Sequence, residues 1–204
     1  MAAAFCATLG VTVGAVAVFY APHKGLSIAL AASSRMAFVF FWPAYAGGAL
    51  CVLFGEVFLP LARRGRDLGL AFAGALSVHL AVVAAICAIG APPPLRTFVI
   101  FGVGALFAVL LTLLSIAKVR RLLPATYWPR LRFVAMTYIA AAFLLDFAKF
   151  PIQDIAQAAK YLPFTTLAVL GPALKLAAWA KTFRATPSYQ PPRERERAQP
   201  RSIY

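Results

Sequence analysis

Residues 68–90, LGLAFAGALSVHLAVVAAICAIG, hold one ionisable side chain, His79, in an otherwise uncharged run. That length matches the ~20 residues that cross a hydrocarbon core as an α-helix. No strand-like alternation runs through it, and backbone groups in lipid must find partners within their own segment, as a helix provides. An imidazole midway along such a helix is either a ligand or a neutral polar group held by a neighbour. The rest of the chain decides between the two.

Similar apolar runs lie at roughly 2–22, 36–62, 97–118, 131–150 and 163–180. The expectation is an all-α polytopic membrane helix bundle of about six transmembrane helices. It spans 1–182 and is followed by a basic Pro/Arg-rich tail at 183–204. The chain is 62% hydrophobic with a mean hydropathy of +0.81, whereas soluble domains are ~45–50% apolar, which excludes a water-soluble core. No basic residue precedes Lys24, so the first run lacks the positive region of a cleaved export signal and is read as a retained helix. Gly10 and Gly14 form a GxxxG there, a spacing that lets helices approach closely. KGLSIALAASSR, from Lys24 to Arg35, is read as too short and polar to cross and is expected along the outer interface. Cys6, Cys51 and Cys87 form no C-x-x-C pair, so small buried hydrophobes are expected rather than a disulfide or zinc site.

The net charge is +14. Arg63, Arg64 and Arg66, then Lys118, Arg120, Arg121, Arg130 and Arg132, then Lys181, Arg184, Arg193, Arg195, Arg197 and Arg201 fall on one side of the expected spans. The positive-inside rule then puts both termini in the cytoplasm. Because this charge hugs membrane edges, it suits anionic lipid headgroups and partner subunits, not nucleic acid. Contacts with lipid or partners are assigned to Arg63, Arg64, Arg66, Arg120, Arg121, Arg193, Arg195 and Arg197.

Four polar residues inside or beside the spans are candidates for function: Glu56, Asp146, Lys149 and Lys175. Glu56 is expected to pair with Arg63 or Arg64, since intramembrane acids pair. Asp146 and Lys149 share a helix face at i,i+3 spacing, read as a local ion pair. Lys175 follows Gly171-Pro172, a predicted kink, and is expected to snorkel toward the cytoplasm. Pro43 predicts a second kink, while Trp42 and Tyr45 suit the headgroup boundary. Ala91-Pro92-Pro93-Pro94 reads as a stiff extended corner. PIQDIAQAAKYLP, opened by Pro151, reads as a short surface helix.

RRGRDLGLAFAGALSVHL (Arg63 to Leu80) and LLTLLSIAKVRRLLPATYWPRLRFVAMTYIA (Leu110 to Ala140) resemble the ferric reductase-like transmembrane domain family. The likeness covers roughly residues 36–150 and is nearest to the small bacterial haem-binding membrane subunits. It rests on a basic loop and Gly-Leu pair before a histidine-bearing helix, and on a Leu-x-x-x-x-Trp-x-x-Leu loop in which Trp128 and Leu131 match. It implies a bacterial inner-membrane protein. The family's histidine after that Leu is Arg132 here, and a further one is replaced by Leu145 or Asp146. Of the ligand set only His79 remains.

His79 lies about 12 residues, or ~18 Å, from the inner helix end, level with Ala142, Phe143 and Leu144 of the fifth span. No second donor stands there, so haem with two protein axial ligands is not expected. The leading expectation is a cofactor-free, non-catalytic accessory or structural subunit of a larger membrane complex of respiratory or photosynthetic type, with other integral membrane subunits as partners. The alternative is an electron-transfer subunit holding haem b, or another macrocycle such as (bacterio)chlorophyll, through His79 alone. A third reading, a small transporter using Lys175 and Asp146, lacks the internal repeat common in transporters. A neutral His79 bonded to Ser77, Ser115 or a backbone carbonyl is the purely structural reading.

Overall fold

The computed structural model describes residues 2–18, 22–115, 124, 126–153 and 155–185, with side chains described except at 15–24, 149–159 and 185. Among these residues the chain is all-α. Its helices are α1 (Ala2–Val18), α2 (Pro22–Phe54), α3 (Leu59–Arg63), α4 (Gly65–Ala88), α5 (Leu95–Leu114), α6 (Tyr127–Gln153) and α7 (Ile155–Ala185). Within α2, α4, α5, α6 and α7 lie five segments long and apolar enough to cross a membrane, so the protein is a multi-pass membrane bundle. α1, with 17 residues, sits at the short end of the ~17–25 that span a bilayer.

Helix ends follow local chemistry. α2 stops at Gly55, whose φ of 83° is one that residues with a Cβ rarely adopt. α4 closes in a Schellman arrangement at Gly90, with Ala91 N–H on the Ile86 carbonyl and Gly90 N–H on the Cys87 carbonyl. Pro92, Pro93 and Pro94 then form the expected extended corner, with Pro94 at φ −56°, ψ 146°.

α2 is the hub, packing against α1, α4 and α7, while α5 rests on α4 and α6, and α6 on α7. Lipid tails are as apolar as the helix faces, so side-chain packing, not a hydrophobic drive, holds such helices together. The buried cluster is aromatic and small by turns. Phe38, Phe41 and Tyr45 of α2 meet Phe72 and Ala75 of α4, Ile139, Ala140 and Phe147 of α6, and Ala168 of α7. Phe38 packs edge-on against Phe143 and Phe147, with ring centroids 5.2 and 5.0 Å away, the geometry ring quadrupoles favour.

Several expectations are corrected. Residues 24–35 are not a separate interfacial segment: α2 runs unbroken through them, and Ala29, Ser33 and Ser34 are buried. The run from Gly25 to Ser34 carries no charge, so the apolar helix begins at Gly25, about three turns before the span read at 36–62. Pro151 opens no separate helix, since α6 continues through it to Gln153 and α7 begins at Ile155. Gly10 and Gly14 face outward, and the packed face of α1 is Ala4, Thr8 and Thr12. Trp42 and Tyr45 are turned inward rather than to a boundary: Tyr45 is buried, and the Trp42 indole donates to the Leu167 carbonyl at 2.6 Å. The cysteines are free, but Cys6 is exposed and Cys51 and Cys87 only half-buried.

The ends of the bundle differ in charge. Arg66 donates to the Ser115 carbonyl at 3.1 Å, joining the start of α4 to the end of α5. Lys181 donates to the Val52 and Leu53 carbonyls at 2.8 and 3.3 Å, capping α2 from α7, a placement the helix dipole favours. Arg63, Arg64, Arg130 and Arg132 belong to the same end and are exposed.

Candidate functional site

His79 lies on α4 where that helix crosses the amino-terminal half of α2, the half carrying Ser27, Ser33 and Ser34. Its Nδ1 is 3.0 Å from the Ser33 hydroxyl, and the partner is neither Ser77 nor Ser115. Those two serines back-bond within their own helices, to the Gly74 and Leu111 carbonyls. Ser33 is fully buried, and its hydroxyl also lies 3.1 Å from the Leu30 carbonyl. A serine has one proton to give. With that proton on Leu30, the hydroxyl accepts from Nδ1–H, and Nε2 carries the imidazole lone pair. Ligating histidines are set up in this way, the second nitrogen fixing tautomer and ring plane.

The ring forms part of the wall of a cavity of about 590 Å³, within the ~300–1,000 Å³ range of small-molecule sites. Leu30 and Ala37 of α2, Leu76 and Val83 of α4, and Phe98 and Phe101 of α5 make its apolar surface. α6 contributes Ala142, Phe143 and, one turn on, Asp146. The Asp146 carboxylate is near enough to act electrostatically on the imidazole. Tyr161, Ser27, Ser34 and Thr97 complete the polar lining. The cavity can therefore take a largely apolar molecule offered a nitrogen ligand on one wall and a carboxylate on another. Among the described residues no group of three metal-ligating side chains occurs, and no second histidine faces His79.

The other predicted residues are scattered. Glu56 sits exposed in the 3-10 turn after α2, outside any span, and among the described residues it forms no ion pair with Arg63 or Arg64. Its helix had already ended at Gly55. Asp146 belongs to the cavity wall, while the side chain of its expected partner Lys149 lies outside the described residues. Lys175 rests over the Tyr45 ring, with Nζ 4.0 Å from the centroid. Arg63, Arg64 and Arg66 are exposed at the basic end. Arg120, Arg121, Arg193, Arg195 and Arg197 lie outside the described residues.

Sequence reasoning missed Ser33, Ser34 and Arg35, all within the segment assigned to an interface. Arg35 is no connection residue. It lies inside α2 with its guanidinium 4.7 Å from the Tyr161 ring centroid and 5.4 Å from that of Phe164. The available signal was the absence of charge from Gly25 to Ser34. No protein family, curated protein or solved structure matches this chain.

Proposed function

We propose that the protein is a non-catalytic subunit of the bacterial inner (cytoplasmic) membrane that holds a flat, mainly apolar ligand in the cavity beside His79. The observation carrying this reading is the Ser33–His79 pair at that cavity wall. Ser33 occupies Nδ1, so Nε2 is the nitrogen offered to a ligand. A macrocycle whose metal takes one protein ligand suits a wall with a single imidazole, and haem b or (bacterio)chlorophyll is that class. His79 would hold the metal, and Asp146 and Tyr161 would face polar substituents. Bound there, haem would supply one-electron chemistry and (bacterio)chlorophyll light absorption. The likeness of residues 36–150 to ferric reductase-like domains supports the same class, as does work within a larger assembly of integral membrane subunits.

The test is the absorption spectrum of protein purified in mild detergent from its native membrane. A Soret or chlorophyll band is expected, absent in His79→Ala and weakened or shifted in Ser33→Ala, where the ring loses its orienting partner. Loss of the group that orients a ligating histidine costs ~10–100-fold in affinity. A colourless, folded protein that co-purifies with defined membrane subunits would return the reading to a cofactor-free accessory role.

A further inference from the structure

At the basic end of the bundle a second hollow, about 560 Å³, opens between α2, α6 and α7. Two cations line it, Lys175 from α7 and Arg132 from α6, and among the described residues no carboxylate does. They are close enough for Arg132 to repel the Lys175 ammonium. Among the described residues neither forms a hydrogen bond or ion pair; Lys175 has only the faces of Tyr45 and Phe133, 4.0 and 5.6 Å from their centroids. Lys175 has only ring faces beside it, and the Arg132 guanidinium reaches toward Gly65 at the start of α4, so among the described residues the positive charge of this hollow has no anion to balance it.

The flanks of the hollow are apolar and open. Phe133 and Trp179, both in its wall, are 61% and 62% exposed, and Trp128 forms part of the wall too. α7 has 31 residues, ~46 Å of helix against a hydrocarbon core of ~30 Å. Its ends therefore overhang the core, and Lys175, ten residues from its last position, lies within a side chain's reach of the interface. An anion with greasy chains attached matches both parts.

We propose that this hollow binds one acidic phospholipid, its phosphate between Lys175 and Arg132 and its acyl chains against Phe133 and Trp179. The site is independent of the His79 cavity, which lies toward the other end of the bundle. It is also distinct from diffuse attraction of headgroups to Arg63 and Arg64, because a bound lipid here is held from two helices at once.

Native mass spectrometry of the full chain, titrated with phosphatidylglycerol or phosphatidylcholine in detergent, tests it. One phosphatidylglycerol is expected to survive delipidation, with phosphatidylcholine binding far more weakly. Arg132→Gln, at an exposed position that leaves the fold intact, should weaken that binding by about tenfold, as loss of a charge-assisted contact does. Lys175→Gln should do the same and Lys175→Arg should restore it, while Arg63→Gln should change little. Equal binding of the two lipids, or unchanged affinity in Arg132→Gln, would overturn the proposal. Displacement of the lipid by millimolar inorganic phosphate would overturn it too, by making the site one for free phosphate.

Discussion

Thr165 does the work of an amide that Pro151 lacks. In an unbroken helix the N–H of residue 151 would bond the Phe147 carbonyl, and proline has none to give. The Thr165 hydroxyl reaches across from α7 and lies 2.9 Å from that oxygen, and 3.0 Å from the Tyr161 carbonyl of its own helix. A carbonyl stripped of its partner in a dry setting costs ~1–3 kcal/mol. Thr165→Val keeps the shape and removes the donor, so unfolding in detergent should show a loss of about 1–2 kcal/mol. In a Pro151→Ala background the restored amide serves Phe147, and the same substitution should cost less. An equal loss in both backgrounds would mean that Thr165 acts by packing alone. The pairing of His79 with Ser33 is of the same kind. The sequence displayed the imidazole, and of the three residues expected at its depth Ala142 and Phe143, but not Leu144, line the same cavity. Its partner, 46 positions away, became visible only when α2 was laid against α4.

Helix periodicity and length made α4, α5 and the middle of α6 legible, because each is an uninterrupted apolar run between turn-forming residues. α2 was read too short because Lys24, three serines and Arg35 suggested a polar segment. In the folded chain Ser33 and Ser34 are buried and the arginine lies over two aromatic rings, so neighbouring helices satisfy what composition alone counted as polar. The crossing of α2 and α7 is tighter than either sequence suggests. A Cβ added at Gly171 would stand 3.2 Å from the Tyr45 ring and 3.4 Å from the Trp42 indole nitrogen. That indole is fixed by its bond to Leu167 and the ring by packing on Phe41, so neither yields freely. Overpacking costs ~1–3 kcal/mol, and Gly171→Val should lower stability by about that much. Gly102→Val makes the comparison, because a Cβ there meets nothing within 4 Å, and its melting point should stay near that of the parent. If both substitutions are equally harmless, the two helices do not approach as closely as described.

For the molecule as a whole, α1 decides how the chain sits in the membrane. The contacts of Arg66 with Ser115 and of Lys181 with Val52 and Leu53 gather the end of α2, the start of α4, the end of α5 and the end of α7 at one basic pole. Placing that pole in the cytoplasm follows from the retention of Lys and Arg on the inner side. The corner at Pro92 is then external, and so is the start of α2. Where residue 2 lies depends on whether α1 crosses. Its 17 residues make ~25 Å of helix against ~30 Å of hydrocarbon. Yet Ala4, Thr8 and Thr12 are buried, and α1 packs against both α2 and α4. The hydroxyls of Thr8 and Thr12 bond the Ala4 and Thr8 carbonyls 2.8 Å away, which leaves no polar group on that face to draw it into water. A crossing helix is the outcome these contacts favour, and the positive-inside rule then predicts an internal amino terminus. The check is labelling of intact cells by a membrane-impermeant maleimide, in a background where Cys6, Cys51 and Cys87 are replaced by alanine. Pro92→Cys should react at once, and Arg64→Cys and Ala2→Cys only after permeabilisation. Prompt reaction of Ala2→Cys with Arg64→Cys still protected would leave five crossings and an external amino terminus. Reaction of Arg64→Cys with Pro92→Cys protected would invert the bundle and put the basic pole outside.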